Sequence, residues 1–179
     1  MTFNLWLTGL SGSGKSTLAS RVSEFLTDAG VAHEHIDPDV FRKVLIARPS
    51  YSDEERESFR TSVLFIASML NRHGVSCVLP LLSSQRTLRE TARTQLPNFI
   101  EVYVKCPLEV CMQRDPKGMY ARSQDHTNPH IVGRDLDYEE PEAPDLIVET
   151  DKYDIEFCSD AIVSLLRRQG YLKEQATTI

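Results

Sequence analysis

The stretch that decides the fold is Asn4-Leu5-Trp6-Leu7-Thr8-Gly9-Leu10-Ser11-Gly12-Ser13-Gly14-Lys15-Ser16-Thr17. Residues 4–8 are a short apolar run of the kind that makes a buried strand. From Lys15 to about Ala29 apolar residues return at helical spacing, until Gly30 closes the pattern. Between the two, Gly9 to Ser16 fits GxxxxGK[ST]. Its glycines let consecutive backbone N–H groups turn inward as an anion nest, and the following helix adds the positive end of its dipole. The spacing therefore predicts a phosphate loop for ATP or GTP, with Gly9, Ser11, Gly12, Ser13, Gly14, Lys15, Ser16 and Thr17 as the nucleotide-binding candidates. Lys15 is placed to reach the β and γ phosphates, and the Ser16 hydroxyl to enter a Mg²⁺ shell.

Working outward, His33 to Asp37 reads as a second strand that leaves the acids of Asp37-Pro38-Asp39 at its carboxyl end. Ser52 with Glu55 resembles a capping box, and Phe59, Val63, Phe65, Ile66 and Leu70 carry a helix over about 52–73. The period then predicts strands at Val75–Leu82, Phe99–Val104 and Leu146–Glu149. It predicts helices at Thr87–Gln95, Pro107–Arg114 and Ile155–Arg168. Residues 115–145, with Pro116, Gly118, Pro129, Gly133, Pro141 and Pro144, read as a long mobile excursion, and 173–179 as a frayed tail. Strand and helix alternate throughout. The expected fold is α/β: a three-layer P-loop NTPase fold, mainly parallel sheet with helices on both faces and a mobile lid, as one domain over residues 1–172.

The chain has 179 residues, 41% hydrophobic and 26% charged, which suits one compact domain and excludes a fibre or a disordered tail. Its 20 Lys plus Arg against 26 Asp plus Glu leave a formal charge of −6, so no overall attraction to nucleic acid or anionic lipid is expected. An anionic substrate must be held by local positive groups. No run approaches the roughly 18 apolar residues that cross a bilayer, and the first is broken by Asn4, Thr8 and Gly9, so neither membrane anchor nor signal peptide is expected. Cys77, Cys106, Cys111 and Cys158 form no CxxC pair and suit buried thiols in a reducing compartment, which points to the cytoplasm. His126 and His130 beside Asp125 lack thiols at zinc-ligand spacing. The acidic run of Asp135, Asp137, Glu139, Glu140, Glu142 and Asp145 reads as a solvated lid face. Apolar positions on the 52–73 helix suit either core packing or a homodimer.

A guanine-reading NKxD segment is absent, and acids and arginines are placed to hold a second anion, a pattern that favours a kinase over a switch. The order of elements resembles the adenylylsulfate kinase family, over about residues 4–150. The markers are GLSGSGKST at 9–17, Asp37-Pro38-Asp39 with Arg42, Tyr51-Ser52 with Glu54, Glu55 and Arg56, and Ser83 with Arg86 and Arg89. To these are added Glu101-Val102-Tyr103-Val104, Pro107-Leu108-Glu109-Val110-Cys111, Arg114 through Tyr120, and Tyr138-Glu139-Glu140-Pro141.

The resemblance implies transfer of the γ-phosphate of ATP to the 3′-hydroxyl of adenosine 5′-phosphosulfate, a small nucleotide-like substrate. By it, Lys15, Asp39 and Lys117 form the catalytic set, and Asp39 orients or deprotonates the acceptor hydroxyl and joins Ser16 at Mg²⁺. Arg114 packs on the ATP adenine. Asp37, Arg42, Tyr51, Arg56, Phe59, Ser83, Lys117 and Ile131 border the acceptor. Each has a plainer reading: Asp37 and Asp39 as caps of the next helix, the arginines as solvated helix faces, Lys117 as a surface lysine. The chain also departs from the family pattern. Pro38 replaces a glycine and Phe59 an asparagine, while Tyr51 and Ile131 stand where two phenylalanines sandwich the acceptor base. Those changes keep two alternatives open: a kinase of another nucleotide anhydride, such as cytidine diphosphoramidate, and a non-catalytic nucleotide-binding module.

Overall fold

The structure is a computed structural model and describes residues 1–46, 52–116, 118–122 and 131–173. Strand β1 (Asn4–Thr8) runs into helix α1 (Lys15–Asp28), followed by β2 (His33–His35), α2 (Pro38–Leu45) and α3 (Asp53–Arg72). Then come β3 (Ser76–Pro80), α4 (Arg86–Gln95), β4 (Phe99–Lys105), α5 (Leu108–Arg114), the single turn α6 (Met119–Arg122), β5 (Leu146–Glu149) and α7 (Ile155–Arg168). The strands lie in the order β2-β3-β1-β4-β5 and every pairing is parallel. In register, Leu7 sits opposite Pro80 on β3 and Val102 on β4.

Side chains on a strand alternate between faces, and the core divides accordingly. Phe3, Leu5 and Leu7, with Ile100, Val102 and Val104, pack against Leu18, Val22 and Leu26 of α1 and Ile162 and Leu166 of α7. Trp6, Cys77, Leu79 and Phe99 face the other way, onto Phe59, Val63 and Ala67 of α3 and Ala92 of α4. Each such fully buried side chain contributes about 1.5–3 kcal/mol over its exposed state. This is the three-layer arrangement anticipated from the alternation. It sets the carboxyl ends of β1, β3 and β4 side by side, which is where ligands bind in open parallel sheets.

Several boundaries differ from the expectation. Helix α2 was not anticipated as an element: with Pro38 at its first turn, a position that needs no N–H, the chain turns helical directly after β2. β2 and β3 are shorter than their apolar runs, and Pro107 sits at the N-cap of α5, one residue before the helix. The acids of the 135–145 stretch are exposed, as a solvated face requires, and the stretch is also tied to the rest of the domain. Asp145 Oδ2 accepts from the Glu101 amide at 2.7 Å, the Glu139 amide donates to the Ser84 carbonyl at 2.8 Å, and Arg86 pairs with Glu142. The basic side chains that reach its carboxylates, Arg86 and Arg93, lie on α4, about 50 residues upstream.

Candidate active site

The loop between β1 and α1 is built by close approach. A Cβ on Gly9 would lie 2.4 Å from the Val104 carbonyl oxygen, and one on Gly12 2.8 Å from that of Cys111, both backbone atoms that cannot yield cheaply. Gly12 and Gly14 both have positive φ, +79° and +96°, which a glycine adopts without strain. Gly14 is the N-cap of α1 and brings no capping side chain, and the first turn holds no acidic residue. α2, α3 and α7, by contrast, are capped by the oxygens of Asp37, Ser52 and Asp154. The N-terminus of α1 is thereby left for an anion from outside the chain.

Lys15 is almost fully buried, and its ammonium donates to the carbonyls of Gly9 at 2.9 Å and Leu10 at 2.7 Å. The loop is braced from three directions. The Ser13 amide donates to the Leu10 carbonyl, the Thr150 hydroxyl to the Ser13 carbonyl at 2.8 Å, and the Tyr120 hydroxyl to the Ser11 carbonyl at 2.9 Å. Burial pushes the Tyr120 phenol up to about 12, so it stays a donor at neutral pH.

Beyond the loop opens a cavity of about 1280 Å³, larger than the roughly 300–1000 Å³ that one small ligand occupies. Ser11, Gly12, Gly14, Lys15, Ser16 and Thr17 line one end. Asp39, Arg42, Arg56, Phe59 and Ser83 line the side formed by α2, α3 and the end of β3, and Arg114 and Ile131 complete the wall. Among the described residues, five basic side chains, Lys15, Arg42, Arg56, Arg60 and Arg114, face it against three carboxylates, Asp39, Asp115 and Asp154. A chain of net charge −6 thus turns a positive surface inward where polyanions would lie.

Arg42 is fixed on two sides. Its Nη1 donates to Glu55 Oε1 at 3.0 Å, both side chains being mostly buried, and its guanidinium lies over the Phe59 ring. Arg114 donates to the Thr150 carbonyl at 2.7 Å and to its hydroxyl at 3.2 Å, which fastens it to the turn after β5.

Not every sequence candidate reaches the cavity. Asp37 accepts from the amides of Asp39 and Val40 at 2.8 and 3.2 Å, so its carboxylate caps α2 and is not turned to an acceptor; the plainer reading holds for it. Gly9 and Ser13 lie behind the loop and shape it. Arg86 and Arg89, expected either to border a substrate or to be solvated, pair instead with the 139–142 stretch and with Glu101. Tyr51 and Lys117, with His126 and His130, lie outside the described residues. Sequence reasoning passed over Arg60, Thr150 and Tyr153, which also line the cavity. Arg60 had a legible signal, since it follows Arg56 by one helical turn. Thr150 and Tyr153 had none, because nothing local says that a turn 135 residues downstream returns to the phosphate loop.

Among the described residues no His, Cys, Asp and Glu side chains gather as a metal cluster. Ser16 and Asp39 both face the cavity, and one hydroxyl with one carboxylate suits a hard cation that keeps phosphate oxygens and water as its other ligands.

Comparison with known proteins agrees with this geometry. Residues 1–149 match the family model described as adenylylsulphate kinase. The adenylyl-sulfate kinase of Synechococcus sp. (strain JA-3-3Ab) is 40% identical over 169 residues, covering 94% of this chain and 96% of that protein. The probable adenylyl-sulfate kinase of Archaeoglobus fulgidus is 41% identical over 86% of this chain and 99% of its own. The solved Mycobacterium tuberculosis APS kinase in complex with AMPPNP and APS superposes with a TM-score of 0.86 at 32% identity, covering 93% of this chain and 98% of that one. Aquifex aeolicus shikimate kinase, at 17% identity and a TM-score of 0.53, shares the fold alone. With its phosphate loop, its two-ended cavity and this extent of likeness, the chain belongs to the adenylylsulphate kinase family.

Proposed function

We propose that the protein transfers the γ-phosphoryl group of ATP to the 3′-hydroxyl of adenosine 5′-phosphosulfate, giving ADP and the 3′-phosphorylated sulfonucleotide. The observation that carries this reading is a single cavity with the phosphate loop at one end and Asp39, Arg42 and Arg56 across from it. Binding begins at the loop, where amides around Gly12 to Ser16 and the Lys15 ammonium hold the polyphosphate; Lys15 exchanges its two carbonyl partners for phosphate oxygens. Arg42, already fixed by Glu55 and Phe59, presents a pre-oriented guanidinium to the acceptor's anionic oxygens, with Arg56 beside it. Asp39 receives or orients the hydroxyl proton of the acceptor, and Arg114 packs on the adenine of ATP. Mg²⁺ held by Ser16 and Asp39 would neutralise charge on the phosphates. Lys117 and Tyr51 keep the roles that the family resemblance gives them. The four cysteines are free thiols, as a reducing cytoplasm would leave them.

One observation favours a second acceptor. Phe59 turns an apolar ring to the acceptor side where the family pattern has a polar asparagine, which fits another nucleotide anhydride such as cytidine diphosphoramidate. A coupled ADP-release assay over sulfated, phosphorylated and phosphoramidated nucleotides separates the readings. Turnover with adenosine 5′-phosphosulfate supports the first, turnover with a cytidine anhydride alone replaces it by the second, and acceptor-independent behaviour throughout leaves a binding module.

A further inference from the structure

Arg89, open in sequence between the edge of a substrate and a solvated helix face, is one of the most buried charged groups among the described residues, 3% exposed. Its guanidinium reaches three elements at once. Nε lies 2.8 Å from Oε1 of the equally buried Glu101 on β4, an ion pair whose geometry is off the line of a hydrogen bond. Nη1 donates to the Ser83 carbonyl at 2.5 Å, and Nη2 to the Glu139 carbonyl at 2.6 Å. The planar fork spreads these donors in fixed directions, which an ammonium cannot reproduce.

One of those acceptors, the Ser83 carbonyl, belongs to a corner that needs holding. Ser83 has a φ of +41°, a left-handed conformation unfavourable for a residue with a Cβ, and both Ser83 and Ser84 line the cavity on the acceptor side. The Ser84 carbonyl is taken by the Glu139 amide at 2.8 Å, so the corner is gripped from Arg89 below and from the returning 138–140 segment above. Tyr138 closes the grip. Its ring stacks on Tyr103 at 6.0 Å between centroids, with Arg89 5.7 Å from its own centroid. The Thr8 hydroxyl has one hydrogen and gives it to the Leu82 carbonyl at 2.8 Å, so at the 2.9 Å contact with Tyr138 the phenol must be the donor. Burial pushes that phenol up to about 12, which keeps its proton in place. One hydrogen-bonded chain thereby joins Tyr138, the last residue of β1 before the phosphate loop, and the residue preceding the strained corner.

We infer that Arg89 and Tyr138 are positioning residues for the acceptor: they touch neither nucleotide, and act by holding the Ser83–Ser84 corner in the shape the acceptor side requires. The acceptor KM is their kinetic signature, and in that respect the inference rests on the function proposed above. The phosphate loop has its own braces through Thr150 and Tyr120, so the ATP side is insulated from the clamp.

The test compares wild type with Tyr138→Phe, which removes one hydroxyl, and Arg89→Lys, which keeps the charge and loses the fork. Steady-state kinetics in ATP and in adenosine 5′-phosphosulfate are combined with hydrogen–deuterium exchange on the free proteins. The expected result is an acceptor KM raised about fivefold in Tyr138→Phe, with ATP KM and kcat within about twofold, and faster exchange over residues 81–86 but not 11–16. Arg89→Lys is expected to exceed this, and if it fails to fold Tyr138→Phe decides alone. A lowered Tm with unchanged acceptor KM, or both KM values rising together, overturns the positioning role. Should the wild type turn over no acceptor, the proposed function falls, and exchange decides the clamp: unchanged exchange at 81–86 in Tyr138→Phe overturns it and faster exchange supports it.

Discussion

The Arg42 guanidinium lies 4.1 Å from the centroid of the Phe59 ring, so a cation on the unanticipated helix α2 is stacked on an aromatic face of α3. Phe59 is itself 4% exposed and supported by Phe41, with ring centroids 5.7 Å apart. The departure from the family pattern at this position is therefore not an idle apolar substitution; it gives a cavity-lining arginine an aromatic face to lie on. Replacing Phe59 by Leu keeps an apolar side chain of moderate volume and removes the π face. The acceptor KM is expected to rise about threefold to fivefold while the ATP KM holds, a loss of about 0.6–1 kcal/mol, within the range of a cation–π pair. Steady-state kinetics in both substrates check it, and an unchanged acceptor KM would mean that the Phe59 ring does not orient Arg42.

Lys15→Ala removes the one ammonium inside the phosphate loop. Turnover is expected to fall by about a thousandfold or more, as for loss of a positioned charge that stabilises the transferring phosphoryl group. The change also takes the donor from the buried Gly9 carbonyl and the part-buried Leu10 carbonyl, so the thermal midpoint should fall as well. Coupled ADP release and a thermal melt on the same preparation measure both.

Asp39→Asn keeps shape and loses the charge. The expected outcome is kcat lowered by about a hundredfold or more, with affinity for a non-hydrolysable ATP analogue largely kept, since the loop amides and Lys15 are untouched. Near-normal turnover would remove Asp39 from the catalytic set.

Gly9→Ala and Gly30→Ala form a contrast within one helix unit. A Cβ at Gly9 meets a β4 carbonyl at 2.4 Å, whereas one at Gly30, φ +68°, meets nothing within 4 Å. Gly30→Ala is expected to cost about 1 kcal/mol, the ordinary left-handed penalty, and Gly9→Ala at least about 3 kcal/mol because backbone must move. Urea unfolding midpoints decide it; equal costs would show that the loop has room to relax.

His35 gives the pH dependence of stability a definite sign. Burial lowers its pKa below the ordinary imidazole value of about 6.5, and its Nε2 is buried without a hydrogen-bond partner. Above about pH 6.5 both folded and unfolded chains hold a neutral imidazole and the group contributes no pH dependence. As pH falls below that value the unfolded chain takes the proton more readily, so stability declines until the folded-state pKa is passed. His35→Gln is expected to flatten that slope in urea titrations between about pH 5 and 7. An unaltered slope would assign the loss to other groups.

The P-loop, the five strands and the long helices were legible because each is announced locally. GxxxxGK[ST] needs no partner to be recognised, the apolar runs of β1, β3 and β4 state their burial, and Ser52 and Gly30 mark helix ends by capping chemistry alone. The same reading left Asp37 open between a cap and a substrate contact, and Arg89 between a substrate edge and a solvated face, for one common reason. A carboxylate or guanidinium has the same sequence signature whether it faces water, a ligand or a buried partner, and the partner here is a helix amide or a residue about 50 positions away.

What the sequence by itself determined, then, was the kind of chemistry: a strand, a glycine-shaped nest and a helix dipole can hold a polyphosphate whatever surrounds them, because backbone amides supply the binding. Only the tertiary structure decided which side chains stand across from that nest. Parallel order β2-β3-β1-β4-β5 brings the ends of three strands together, so residues as distant as Thr8, Ser83 and Tyr138 become neighbours, and burial then selects which charges serve a substrate and which serve each other.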